Sequence, residues 1–173
     1  MKLFSTEFNS LQDLLVQQLE DLYDAEKRLV KALPKMAEAA HSSLLRQAFE
    51  AHLTETEGHV SRLERIFSQI RVEPKRETCE AMKGLIAEGE EMIGAKGNPD
   101  VKDAALIAAA QRVEHYEMSG YGSARTFAQR LGHTDVANTL QQTLNEEVGA
   151  DQKLTRIAES SVNVQASAST AAR

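Results

Sequence analysis

Apolar residues recur along this chain at spacings of three and four in four long stretches. Those spacings put side chains on one face of an α-helix. The first helix is expected to start near Ser10, where Asp13 three residues on completes a capping arrangement, and to run to about Ala40. Pro34 lies inside it, so a kink near Leu33 or a break is expected there, since proline removes a hydrogen bond and crowds the preceding turn. His41, Ser42 and Ser43 form a short connection, with Ser43 as cap of a second helix reaching about Ile70. Residues 71–101 read differently: Pro74, an amphipathic stretch with Met82, Leu85, Ile86, Met92 and Ile93, and the turn signal Gly97-Asn98-Pro99-Asp100. This is a long crossover holding a short helix. A third long helix then runs from Val101 or Lys102 to Leu131, Gly132 ends it, and Thr134 caps a fourth that reaches about Ser161. The predicted fold is all-α, a four-helix bundle over residues 1–161 with a flexible Ser- and Ala-rich tail over 162–173.

Each apolar stripe is broken by polar residues. Helix one reads Leu15, Leu19, Leu22, Glu26, Leu29, Leu33; helix two reads Leu45, Ala48, His52, Glu55, His59, Leu63, Ile66. Helix three has Glu114 and Glu117 between Val113 and Tyr121, and helix four has Glu147 and Asp151 between Leu144 and Leu154. Glu26, Glu55 with His59, Glu114 with Glu117, and Glu147 with Asp151 all lie within about one turn, roughly 5 Å, of the midpoints of their helices. An aligned bundle brings them to one level.

Six carboxylates converging in a core need compensating charge, because a buried isolated charge costs several kcal/mol even after relaxation. Arg28, Arg62, Arg112 and Arg125 fall off the inner face, which leaves a pair of metal ions as the simplest counter-charge. Oxygen ligands with an imidazole suit iron or manganese, and bundle cores hold such dinuclear centres. The candidate ligands are Glu26, Glu55, His59, Glu114, Glu117, Glu147 and Asp151. The alternative is a metal-free polar network. His52, one turn from Glu55, is read as a core histidine and His115 as an outer or surface one; neither is expected to be a primary ligand. Tyr121 is read as a core aromatic whose hydroxyl reaches a polar group.

Composition narrows the function. A net charge of −6 and a pI near 5.4, with no basic face, argue against a nucleic-acid partner and against a DNA-protecting shell. No apolar run approaches the ~20 residues of a membrane span, and no leader pattern opens the chain, so no membrane partner and a cytoplasmic location are expected. The one cysteine, Cys79, fits a reducing compartment.

The stretches DLYDAEK in helix one, HLTETEGHV in helix two, AAQRVEHYE followed by GYG in helix three, and LNEEVGAD in helix four resemble the YciE/YciF group of bacterial ferritin-like proteins. The resemblance implies a ferritin-like bundle, an association with stress responses and a homodimer, without supplying a reaction. It assigns metal-binding carboxylates to Glu26, Glu55 and Glu114 and an imidazole to His59, with helix four as the departure. The general pattern has Glu and His three apart on two helices. Here Glu55 and His59 are four apart and Asp151 stands beside Glu147 where a second histidine would be, which implies an oxygen-rich site and favours manganese or a mixed pair. The expected function is metal handling or stress defence with a dinuclear iron or manganese centre. The other reading is a structural or interaction protein whose polar core only stabilises it. The apolar stripe of Met82, Leu85, Ile86 and Met92 adds an expectation that part of it is shared with a second copy.

Overall fold

A computed structural model describes residues 7–75 and 77–168. The order is α1 (Leu11–Ala39), α2 (Ser43–Ile70), α3 (Glu80–Gly94), α4 (Pro99–Arg130), α5 (Thr134–Ile157), a π-helical turn (Ala158–Val162) and α6 (Asn163–Ala168). The starts of α1, α2 and α4 follow their capping chemistry, whereas α5 opens at Thr134 behind His133 with no side-chain cap. Ser10 Oγ accepts from Asp13 N at 3.1 Å, and the Asp13 carboxylate accepts from Asn9 N. Ser42 rather than Ser43 caps α2, and Asn98 caps α4 one turn earlier than expected, with Pro99 in the first turn where it sacrifices no hydrogen bond. Gly132, at φ 81°, turns the chain out of α4.

Two expectations need correcting. α1 runs through Pro34 as one helix, so the chain does not break there. Its buried stripe continues on both sides with Leu29, Leu33, Met36 and Ala37, and this packing holds the segment helical. Residues 162–168 are helical rather than a flexible tail, because Val162 is buried beside Leu154, Ile157 and Ala158 in the core and α6 packs on α4. Residues 1–6 and 169–173, the ends of the expected bundle and tail, lie outside the described residues. In the α3 stripe Met82 is fully buried, while Leu85, Ile86 and Met92 lie half-buried against the core between α1 and α4.

α1 neighbours α2 and α4, and α5 neighbours α4 and α2. The core has two halves. One joins Leu15, Leu19, Leu63, Ile66, Leu140 and Ala128; the other joins Leu29, Leu33, Leu45, Phe49, Leu106 and Leu154. The starts of α2 and α4 share one half and their ends share the other, so these helices run in the same direction and the crossover returns the chain along the bundle. This is a ferritin-like four-helix bundle with a fifth helix in its crossover, as the sequence pattern predicted. Gly120 allows α1 to approach α4 closely near the middle, since a Cβ there would come 2.8 Å from Leu22 Cδ2. Among the described residues no helix is long and apolar enough to cross a membrane.

Candidate metal centre

Between the two apolar halves lies a buried polar layer of Glu26, His52, His59, Glu114, Glu117 and Glu147, none more than 6% exposed. α1 supplies one carboxylate, α2 both imidazoles, α4 the pair Glu114 and Glu117 one turn apart, and α5 one carboxylate. Their ligand atoms form two groups that share Glu147: His52, Glu114, Glu117 and Glu147, and Glu26, His59 and Glu147. Within each group one atom per residue lies within 4.8 Å of all the others. His59 Nδ1 is 2.9 Å from Glu147 Oε1 and 3.3 Å from Glu26 Oε1, and His52 Nε2 is 3.3 Å from Glu114 Oε2. None of these approaches has hydrogen-bond geometry. Glu26 Oε2, His52 Nε2, His59 Nδ1, Glu114 Oε2 and both carboxylate oxygens of Glu117 and of Glu147 are buried with no hydrogen-bond partner. Orphaned buried polar atoms are rare in folded proteins, and these eight belong to residues whose ligand atoms converge in the two groups.

Each imidazole is held from behind. His59 Nε2 meets Glu146 Oε2 at 2.8 Å, and Glu146 is gripped in turn by Arg62, whose Nη2 donates to Oε1 at 2.9 Å. His52 Nδ1 meets Glu55 Oε2 at 3.2 Å. An outer carboxylate that takes one ring N–H fixes the tautomer and aims the other nitrogen inward, the arrangement that surrounds metal-binding histidines. Tyr121, buried and edge-on to His59 at 6.3 Å between centroids, donates to Glu26 Oε1 at 2.5 Å and leaves Oε2 facing the cluster.

Electrostatics express the crowding. Burial, then the charges of Glu26, Glu147 and Glu114, push the Glu117 carboxyl well above its ordinary value. Burial also raises Glu26 and Glu147 against the opposing pull of His59. Burial works against a charged His59, but Glu147 and Glu26 outweigh it and lift the imidazole to about 10. His52 is raised in the same way, chiefly by Glu114. Outside the layer, the bond to His52 lowers Glu55, while Arg62 and His59 hold Glu146 low despite its burial.

Of the seven residues singled out in the sequence, Glu26, His59, Glu114, Glu117 and Glu147 come together, whereas Glu55 and Asp151 do not join them. At 100° per residue Glu55 lies roughly 70° from the centre of the buried stripe of α2, and Thr56 takes the inner place. The Glu55 side chain is 48% exposed. Asp151 sits toward α4, where it accepts from Gln111 Nε2 at 2.9 Å and lies 3.3 Å from the exposed His115. His52 is the residue sequence reasoning set aside. It lies two turns before His59 on the same line as Leu45 and Ile66, and that seven-residue spacing was the available signal. Glu146 and Arg62 lie off both stripes, and only the pairing of α2 with α5 reveals them. The inward-facing set is thus two imidazoles and four carboxylates, a composition that resembles that of dinuclear carboxylate centres, and it includes His52, which sequence reasoning had not placed there.

The family described as "Domain of unknown function (DUF892)" matches residues 10–167. Protein YciF of Escherichia coli is 45% identical over 158 residues, 91% of this chain and 95% of that protein. The crystal structure of the E. coli stress protein YciF superposes with a TM-score of 0.87 at 44% identity, covering 90% of this chain and 99% of that one. YcfI of Rhodopseudomonas palustris, described as a putative structural protein, superposes at 0.84 with 41% identity over 88% and 97%. A protein from Xanthomonas campestris, at 18% identity and 0.73 over 93% and 99%, shares the fold.

Proposed function

The chain belongs to the DUF892 family, and on that premise we propose that it is a cytoplasmic stress-associated protein holding a dinuclear iron or manganese centre, with a role in metal handling or oxidative defence. The observation that carries this reading is the set of eight buried, partnerless oxygen and nitrogen atoms aimed into one space. Glu26 and His59 would hold one ion, His52, Glu114 and Glu117 the other, with Glu147 shared. A redox-active pair bound there would supply electrons to a small oxidant such as dioxygen or peroxide. Glu55 and Glu146 would keep the ring protons on the outer nitrogens, and Tyr121 would hold one oxygen of Glu26 away from the ions. The association with stress is taken from the relative described as a stress protein.

A second reading has its own support. His59 with a proton affinity near pH 10, and His52 raised with it, can act as imidazolium counter-charges to the carboxylates, which gives a metal-free polar core in a structural protein. The two are separated by metal content. Protein stripped with chelator and dialysed against Fe(II) or Mn(II) is expected to retain two ions per chain and to melt at a higher temperature. Retention of none, with an unchanged melt, would give the second reading the lead.

A further inference from the structure

Two openings reach the His52 and Glu114 end of the cluster from opposite sides, and their linings contrast. Between α2 and α5 an opening of about 250 Å³ is lined by Glu55, Glu146, Lys153 and Arg156. Such a route suits ions and water. Between α1, α3 and α4 lies a smaller cavity of about 40 Å³, whose walls include Leu33, Ile86, Ile93 and Val113. Lys35 and Glu90, exposed and paired at 2.8 Å, line its outer end; His52 and Glu114 are its inner polar residues.

We propose that the α1–α3–α4 cavity admits a small uncharged apolar molecule of the dioxygen class to the His52 and Glu114 side of the cluster. A hydrated ion entering between these aliphatic walls would lose its water with no replacement partners, at a cost of several kcal/mol. Dioxygen makes no hydrogen bonds and loses none. Size excludes larger ligands, because a cavity of roughly 150 Å³ is what accommodates benzene, and this one has under a third of that volume. Polar traffic has its own opening on the other side. What the molecule meets at the inner end rests on the metal reading; occupancy of the cavity does not.

Gly89 of α3 lines the cavity and gives a direct way to fill it. A Cβ there meets only Met36 Sδ, at 3.9 Å, and replacing a helix-interior glycine favours the helix, so Gly89→Leu is expected to fold. Ile93→Ala enlarges the same space. The test uses metal-free protein labelled in its methyl groups and histidine rings, examined by NMR under dioxygen pressure, with ferrous binding followed separately by calorimetry. In the parent, paramagnetic relaxation at the Ile86, Ile93 and Val113 methyls and at the His52 ring is expected to exceed that at the Leu63 and Leu140 methyls several-fold. Gly89→Leu should remove the excess and Ile93→Ala should increase it at Ile86 and Val113, with ferrous binding unchanged in both. Uniform relaxation in the parent, or an excess untouched by Gly89→Leu, would overturn the proposal and leave the metal reading standing. Gas uptake without any ferrous binding would remove the metal reading and the delivery role with it.

Discussion

Buried or half-buried acids occur in two settings in this bundle, at the chain connections and at the middle. At the connections each one meets a donor. Asp103, 1% exposed, accepts from the backbone N–H groups of His41 and Ser42 at 2.9 and 2.6 Å, which ties α4 to the start of α2. Glu20 accepts from Lys75 N, and Asp24 from Cys79 N and Arg28, so that α1 anchors the crossover. Asp21 accepts from Tyr116 and from the thiol of Cys79, the residue that also caps α3. In the middle, carboxylates face carboxylates and the inward imidazole nitrogens lack hydrogen-bonded partners. The difference separates acids that fasten the chain from acids left facing one another without a donor.

The contrast breaks most sharply at Glu147, which both ligand groups share. With metal at a thousandfold excess over Kd, binding adds about 4 kcal/mol, on the order of 10 °C for a chain of this length. Glu147→Ala is expected to lose that whole gain, while the metal-free variant melts no lower than the parent because a crowded carboxyl has gone. Differential scanning calorimetry with chelator and with Mn(II) measures both.

The pH dependence should differ between the metal-free and the loaded protein. Glu26, Glu117 and Glu147 are raised by burial, and His59 sits at about 10 against 6.5. Each binds its proton more tightly folded than unfolded, so its contribution is largest at low pH and falls as pH rises. For the carboxyls the fall begins in the ordinary carboxylate range; for His59 it spans 6.5 to 10. Metal-free protein should therefore lose several degrees of melting temperature across that window, and metal should reverse the slope, since it binds the deprotonated ligands.

Removing a fastening acid should behave in the opposite manner to Glu147. Asp103→Ala strands two backbone N–H groups at the start of α2, for about 2–3 kcal/mol. The melting temperature should fall by the same amount with and without metal, and calorimetric metal binding should not change. The smallest effect is expected behind the cluster, where Glu146→Gln keeps an acceptor for His59 but loses the charge. Metal affinity should drop about tenfold, with little change in the metal-free melt; isothermal titration decides it.

Most of the fold was legible in the sequence, because helix boundaries rest on local chemistry: Ser10 with Asp13, Asn98 ahead of Pro99, and Gly132 all act within a turn of themselves. Pro34 and Val162 misled because tertiary packing decides both. The level of the cluster was legible from the interrupted stripes, but its membership was not fully so. Glu55 and His52 differ only in their phase on α2, and that phase is set by which side of the helix meets α1 and α5. Glu146 and Arg62 find each other across α2 and α5, a pairing that no spacing within one helix encodes.

Metal in the mid-bundle cluster is what we propose here. Anomalous diffraction from crystals supplied with Mn(II) or Fe(II) tests it most directly. The expected result is two peaks per chain, one among His52, Glu114, Glu117 and Glu147 and the other among Glu26, His59 and Glu147. No peak at either position, with the inner imidazole nitrogens hydrogen-bonded to the carboxylates themselves, would contradict it.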